Sequence, residues 1–236
     1  MDGPPAQAVA EPITGIASMA TRHLLSELAA AYQQRSGQRV VVESVGGVDA
    51  ALRVESGEAF DFVVLAAEAI DKLAAVGRVD PDTRIDVARS GVAIAVRAGA
   101  QCPDVGTEQA VRDAVLAVRT IGYSTGPSGK HLARLFERWG IADIIAPRVV
   151  EAPPGVPVAS LMASGKVELG FQQLSELIHA PGIQVIGTLP PAIQVVTVFA
   201  GAVCTASARH ALAKAFLSFC ATPALAVVKG HHGMEP

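Results

Sequence analysis

Long hydrophobic runs are missing from this sequence: no stretch approaches the ~20 uninterrupted apolar residues of a membrane span, so no membrane insertion is expected. Aromatic residues are only 4% and charged residues 17%, while half of the chain is hydrophobic, which describes a core-rich soluble protein with a sparsely charged surface. A formal charge of -3 removes the basic face that nucleic acid would require. The first residues, MDGPPAQAVAEP, hold no basic cluster followed by an apolar run. No signal peptide is visible there, so the chain reads either as cytoplasmic or as a mature periplasmic protein with a new initiator Met. The three cysteines, Cys102, Cys204 and Cys220, lack CxxC spacing; they read as buried or incidental thiols, with room for one disulfide. The histidines are scattered without metal-ligand spacing. Neither a metal nor a cofactor is expected.

What the chain does have is a strand, turn and helix centred on IGYSTGPSGKHLARLFERW, residues 121–139. Leu132, Leu135, Phe136 and Trp139 fall on one helical face. A turn of Ser, Thr and Gly at a helix start leaves backbone N–H groups without intrahelical partners, and those donors suit an anion. Lys130 and His131 add charge beside it. A plainer reading is that Ser124, Thr125 or Ser128 caps the helix. A phosphate loop is excluded, because His131 stands where the motif needs Ser or Thr and the glycine spacing is too short.

The same unit repeats along the chain. Strands are expected at 13–17, 39–44 and 60–65, each leading into a helix through a turn containing Ser, Gly or Glu. Further on, helices are expected at 103–114 and 156–164, strands at 115–121, 149–150, 167–171 and 183–186, and two long apolar segments at 86–97 and 194–203. Helices at 210–219 and 222–228 precede a frayed tail, 230–236. Repeated βα units predict an α/β fold of mostly parallel sheets, with ligands at the carboxyl ends of the strands. The long segments divide it into two lobes, 1–88 with 198–236, and 89–197.

Ser18 after the first strand, Ser44-Val45-Gly46-Gly47 after the second, Phe60 to Val64, the YSTGPSG turn and Gly170-Phe171-Gln172-Gln173-Leu174-Ser175-Glu176 occur in an order that resembles the molybdate-type solute-binding proteins of ABC transporters. These are type 2 periplasmic binding proteins, and the similarity reaches an aconitate isomerase-like branch. The resemblance implies two α/β lobes closing on a small anion held by hydroxyls and backbone N–H groups. Carried over by position, the first lobe offers Ser18 with Met19 and Thr21, and Ser44, Gly46 and Gly47. The second offers Tyr123, Ser124, Thr125, Gly126, Ser128 and Gly129, the helix start at Pro157 and Val158, and Gln173. Two departures matter: Gln173 stands where these binders usually present a tyrosine, and Val45-Gly46-Gly47 lacks a second serine.

Two functions follow. The leading one is an anion-binding receptor, expected to be a monomer, that takes up a molybdate-like oxyanion or a small carboxylate and hands it to an ABC permease. The second is an isomerase that interconverts trans- and cis-aconitate by allylic proton transfer, which requires a base, an acid and anion-stabilising donors. Its candidate catalytic groups are His131, Lys130, Glu176 and Glu43, and Arg22 in the first helix can clamp a carboxylate. Each has a plain alternative as a solvated surface or first-turn residue.

Overall fold

The computed structural model describes residues 11–153 and 155–236. The reading of the N-terminal stretch therefore rests on residues that lie outside the described ones. In chain order the elements are β1 (Ile13–Ser18), α1 (Arg22–Ser36), β2 (Val40–Val45), α2 (Gly47–Glu55), β3 (Phe62–Ala66), α3 (Ala67–Ala75) and β4 (Ile85–Arg97). There follow α4 (Glu108–Ala117), β5 (Ile121–Ser124), α5 (Pro127–Arg138), α6 (Ala142–Ile145), β6 (Val149–Ala152), α7 (Val158–Ala163), β7 (Leu169–Gln173) and α8 (Leu174–Leu177). The chain finishes with β8 (Ile183–Thr188), β9 (Val196–Val203), α9 (His210–Cys220) and α10 (Ala226–His231).

Two trios of parallel strands, β2-β1-β3 and β7-β5-β6, form the outer parts of the two lobes. Antiparallel strands join them. From Ile85 to Gly91, β4 pairs with β9, which itself lies against β3. From Val92 onward β4 changes partners and pairs with β7 on one side and β8 on the other. One long strand thus belongs to both sheets and carries the chain from the first lobe to the second.

Each sheet is covered by helices on both faces, which explains the near-continuous apolar strands. Phe62, Val63, Val64 and Leu65 of β3 are all fully buried, with Leu24, Leu28, Phe62 and Phe216 in one cluster and Ile16, Leu65 and Ile70 in another on the opposite face. In the second lobe Val92, Ile94, Leu132, Phe136 and Phe171 pack on one face, and Val158, Met162 and Leu177 on the other. Each such fully buried side chain contributes about 1.5–3 kcal/mol.

The structure alters several sequence expectations. Residues 115–117 continue α4 instead of starting a strand, because Val111, Ala114 and Val115 form its buried face. β7 runs to Gln173, since Gln172 and Gln173 are held in register with Ala93 and Val92. The tail is docked: Glu235 exchanges two 2.8 Å backbone hydrogen bonds with Arg89, Ser90 Oγ donates to the Gly233 carbonyl, and Met234 is buried. All three thiols are free, so no disulfide forms; Cys102 is exposed, and burial pushes the Cys204 thiol up to about 12. No single helix among the described residues is long and apolar enough to cross a membrane.

Candidate functional site

The carboxyl ends of the parallel strands from both lobes open onto one cavity of about 500 Å³. β1 delivers Ser18, the last residue of the strand and the cap of a short 3-10 turn, whose Oγ accepts from the Ala20 N–H at 3.3 Å. That bond uses a lone pair and leaves the hydroxyl proton for a ligand. Next to it α2 begins: the first helical bond is Ala50 N–H to the Gly46 carbonyl at 2.8 Å, and no side chain caps the helix. The N–H groups of its first turn therefore point past the helix end. Gly47 and Ser18 are close neighbours, since a β-carbon at Gly47 would stand 3.6 Å from Ser18 Oγ.

From the second lobe α5 presents the same feature. Gly126 is its cap residue, Pro127 its first residue, and again no side chain caps it. The plain reading of Ser124, Thr125 or Ser128 as helix cap is thereby corrected. All three line the cavity with Gly126 and Lys130. Gly129 does not line it but permits the turn: a β-carbon there would lie 1.6 Å from the Ser124 carbonyl oxygen. Gly129→Ala is therefore expected to cost roughly 1–3 kcal/mol by overpacking and to displace the turn, lowering both the melting temperature and anion affinity in a calorimetric titration.

The third wall is β7 and α8. Gln173, buried, donates through Nε2 to Thr197 Oγ1 at 2.7 Å, and its Oε1 has no partner. Glu176 also reaches the cavity. Burial pushes its carboxyl up to about 7, against the opposing pull of the Arg22 guanidinium and of the Gln172 amide, which donates to Glu176 Oε2 at 2.6 Å. A carboxyl with a midpoint near neutrality both gives and takes protons at physiological pH. Lys72, Glu55 and Glu68 also line the cavity.

Of the residues singled out in the sequence, Ser18, Met19, Gly46, Gly47, Ser124, Thr125, Gly126, Ser128, Lys130, Pro157, Gln173 and Glu176 meet in this cavity. Others do not. Thr21 is buried and spends its hydroxyl on the Ser18 carbonyl at 3.0 Å. Ser44 lines a smaller neighbouring pocket with Asp49 and Gly155. The Tyr123 ring packs on Phe136 instead. The Val158 N–H, expected as a ligand donor, is taken by Gln172 Oε1 at 3.1 Å. His131 Nε2 bonds the Ile193 carbonyl at 2.9 Å, and because a carbonyl only accepts, that nitrogen carries the proton. Glu43 is exposed and paired with Arg53 at 2.5 and 3.0 Å, away from the cavity. Arg22 and His23 are exposed and bonded to each other, and Arg22 acts on the site only through its charge on Glu176. Gln172 was missed as a site residue; its separation of four from Glu176 across the strand-to-helix junction was the available signal. Among the described residues no group of three or more His, Cys, Asp or Glu is arranged to hold a metal.

Residues 13–235 match the family model described as bacterial extracellular solute-binding protein. The chain belongs to this family. A curated relative, aconitate isomerase from Pseudomonas sp, is 32% identical, over 96% of this chain and 90% of the relative. Among solved structures, the Azotobacter vinelandii periplasmic molybdate-binding protein superposes with a TM-score of 0.78 at 23% identity, over 95% of this chain and 99% of the other. The sulfate-binding protein SubI from Mycobacterium tuberculosis H37Rv gives 0.76 at 20% identity, over 95% and 86%. Both share the two-lobed fold of the family.

Proposed function

We propose that the cleft binds a small di- or tricarboxylate and moves its double bond by allylic proton transfer, as in the interconversion of trans- and cis-aconitate. The observation that carries this reading is that the Glu176 carboxyl reaches the same cavity as two uncapped helix starts, in a place where burial pushes it up to about 7. A site that only holds a tetrahedral dianion gains nothing from a carboxyl group that ionises beside it. A proton-transfer site needs one. The 32% identity to aconitate isomerase supports the same choice.

The chemistry follows from the placement. The Glu176 carboxylate takes a proton from the methylene carbon of the substrate, and the electron pair delocalises through the double bond onto a substrate carboxylate. The carboxylic acid so formed returns the proton to the other end of the allyl system, leaving the atoms of the substrate unchanged in number and the double bond moved. Negative charge grows on carboxylate oxygens during the transfer. The first-turn N–H groups of α2 and α5, the hydroxyls of Ser18 and Ser124, and the Lys130 ammonium group stabilise it there. We assign the lobes by the change of partners in β4 between Gly91 and Val92, a few residues beyond the expected boundary at 88, with β3 and β9 on the first side, β7 and β8 on the second, and the ligand lying between them. The family's description as bacterial extracellular solute-binding proteins supports a setting outside the cytoplasm.

A receptor that only binds is the second reading. It is favoured by the two uncapped helix starts, which hold an anion without an acid or base, and its partner would be an ABC permease. A thermal-shift titration with molybdate, tungstate, sulfate, citrate and cis- and trans-aconitate separates the two, since a ligand of the folded state raises the melting temperature. Stabilisation by the carboxylates, with cis-aconitate appearing from trans-aconitate by NMR, is expected. Stabilisation by molybdate and tungstate alone, with aconitate unchanged, would sink the isomerase reading.

A further inference from the structure

A buried glutamine behind the cleft wall has both ends of its amide committed. Gln172 sits in β7 with only 2% of its surface exposed. Its Oε1 accepts from the Val158 N–H at 3.1 Å, and its Nε2 donates to Glu176 Oε2 at 2.6 Å. A backbone N–H only donates, so the oxygen must face Val158 and the NH2 must face Glu176. The orientation of this amide is thus fixed by its partners. Val158 in turn is fixed at the start of α7, fully buried, in the cluster that also holds Leu177 of α8.

We propose that Gln172 is a positioning residue for Glu176: it uses the start of α7 as an anchor and holds one oxygen of the carboxyl, leaving the other to face the substrate. This rests on the reading of Glu176 as the proton-transferring group. An amide in this place does two things. It prevents rotation of the carboxyl, so that one oxygen is presented to both ends of an allyl system, and it favours the ionised form that removes the first proton. Other charged groups are arranged differently: Arg22 acts from the start of α1 through space, and Lys130, Lys72, Glu55 and Glu68 line the cavity. Gln172 supplies the hydrogen bond.

Carboxyl carbon-13 NMR on glutamate-labelled full-length protein tests this without an activity assay, with Glu176→Gln identifying the resonance. Gln172→Met removes the donor at similar volume. Gln172→Glu keeps an acceptor for the Val158 N–H and so guards against loss of fold. Without the amide donor the Glu176 midpoint is expected to rise by about one pH unit in Gln172→Met, and further in Gln172→Glu, where two carboxyls share a site. The acidic limb of the pH profile for trans-aconitate turnover should move by the same amount. A midpoint that stays in place in both variants, or in Gln172→Glu if Gln172→Met does not fold, overturns the proposal. Should the midpoint move in a protein that never turns aconitate over, the positioning role stands and the isomerase reading fails. Turnover with an unmoved profile separates them the other way.

Discussion

Replacing Glu176 with Gln is expected to lower the turnover of aconitate by about 10²–10⁴-fold, the usual contribution of a positioned acid–base group, while making the protein more stable at pH 8. The second half follows from the raised midpoint. Between the ordinary value of 4.5 and the folded value of about 7, the folded protein holds a proton that the unfolded chain has lost. Stability therefore falls as pH rises through that window, and the full cost is present above it. A shift from 4.5 to about 7 corresponds to at most roughly 3–4 kcal/mol. Glutamine keeps the shape and never ionises, so the variant should melt several degrees higher than the wild type at pH 8 and within a degree of it near pH 4.5. Paired melting curves at the two pH values check the stability claim, and turnover checks the chemistry. Equal melting temperatures at pH 8 would mean that the carboxyl is solvated and not poised for transfer.

Binding should depend on different groups. Ser18→Ala combined with Ser124→Ala is expected to weaken anion binding by roughly 10²–10⁴-fold, since each hydroxyl bond to a charged partner is worth about 1.5–3 kcal/mol. The two residues come from opposite lobes and reach the same cavity, so through a shared ligand their effects are expected to couple and not simply to add. Ser18→Ala alone also removes the bond to the Ala20 N–H, a capping loss of about 0.5–2 kcal/mol, which its melting curve reports separately. Isothermal calorimetry with trans-aconitate measures the affinity. Unchanged affinity in the double variant would place the anion elsewhere in the cavity. Glu176→Gln, in contrast, should still bind.

The elements of the fold were legible because parallel strands covered on both faces write themselves as apolar runs, and the turns after them need small or hydroxyl residues. Phe60 to Leu65 and the YSTGPSG turn are of this kind. Most of the hydroxyl and glycine residues that line the cavity came with them. What could not be read was the fate of each donor and charge after folding. His131 is occupied by a carbonyl supplied by Ile193, 62 residues away, and the Val158 N–H by a side chain from a neighbouring strand. Glu43 and Arg53 meet only because β2 and α2 lie together. The tail looked free because glycine and histidine carry no period; its order comes from Arg89 and Ser90, contributed by the crossing strand. Local pattern predicts elements, whereas occupancy of polar groups is a property of the assembled chain.

The position of β9 between β3 and β4 sets a timetable for synthesis. Both neighbours leave the ribosome early, yet the strand that joins them starts at Val196. At ~5–20 residues per second, the interval from Arg97 to Val196 leaves two apolar strand edges without a partner for roughly 5–20 s. Such edges pair readily with foreign chains. The nascent protein thus passes through a long period in which its first lobe is translated but unfinished.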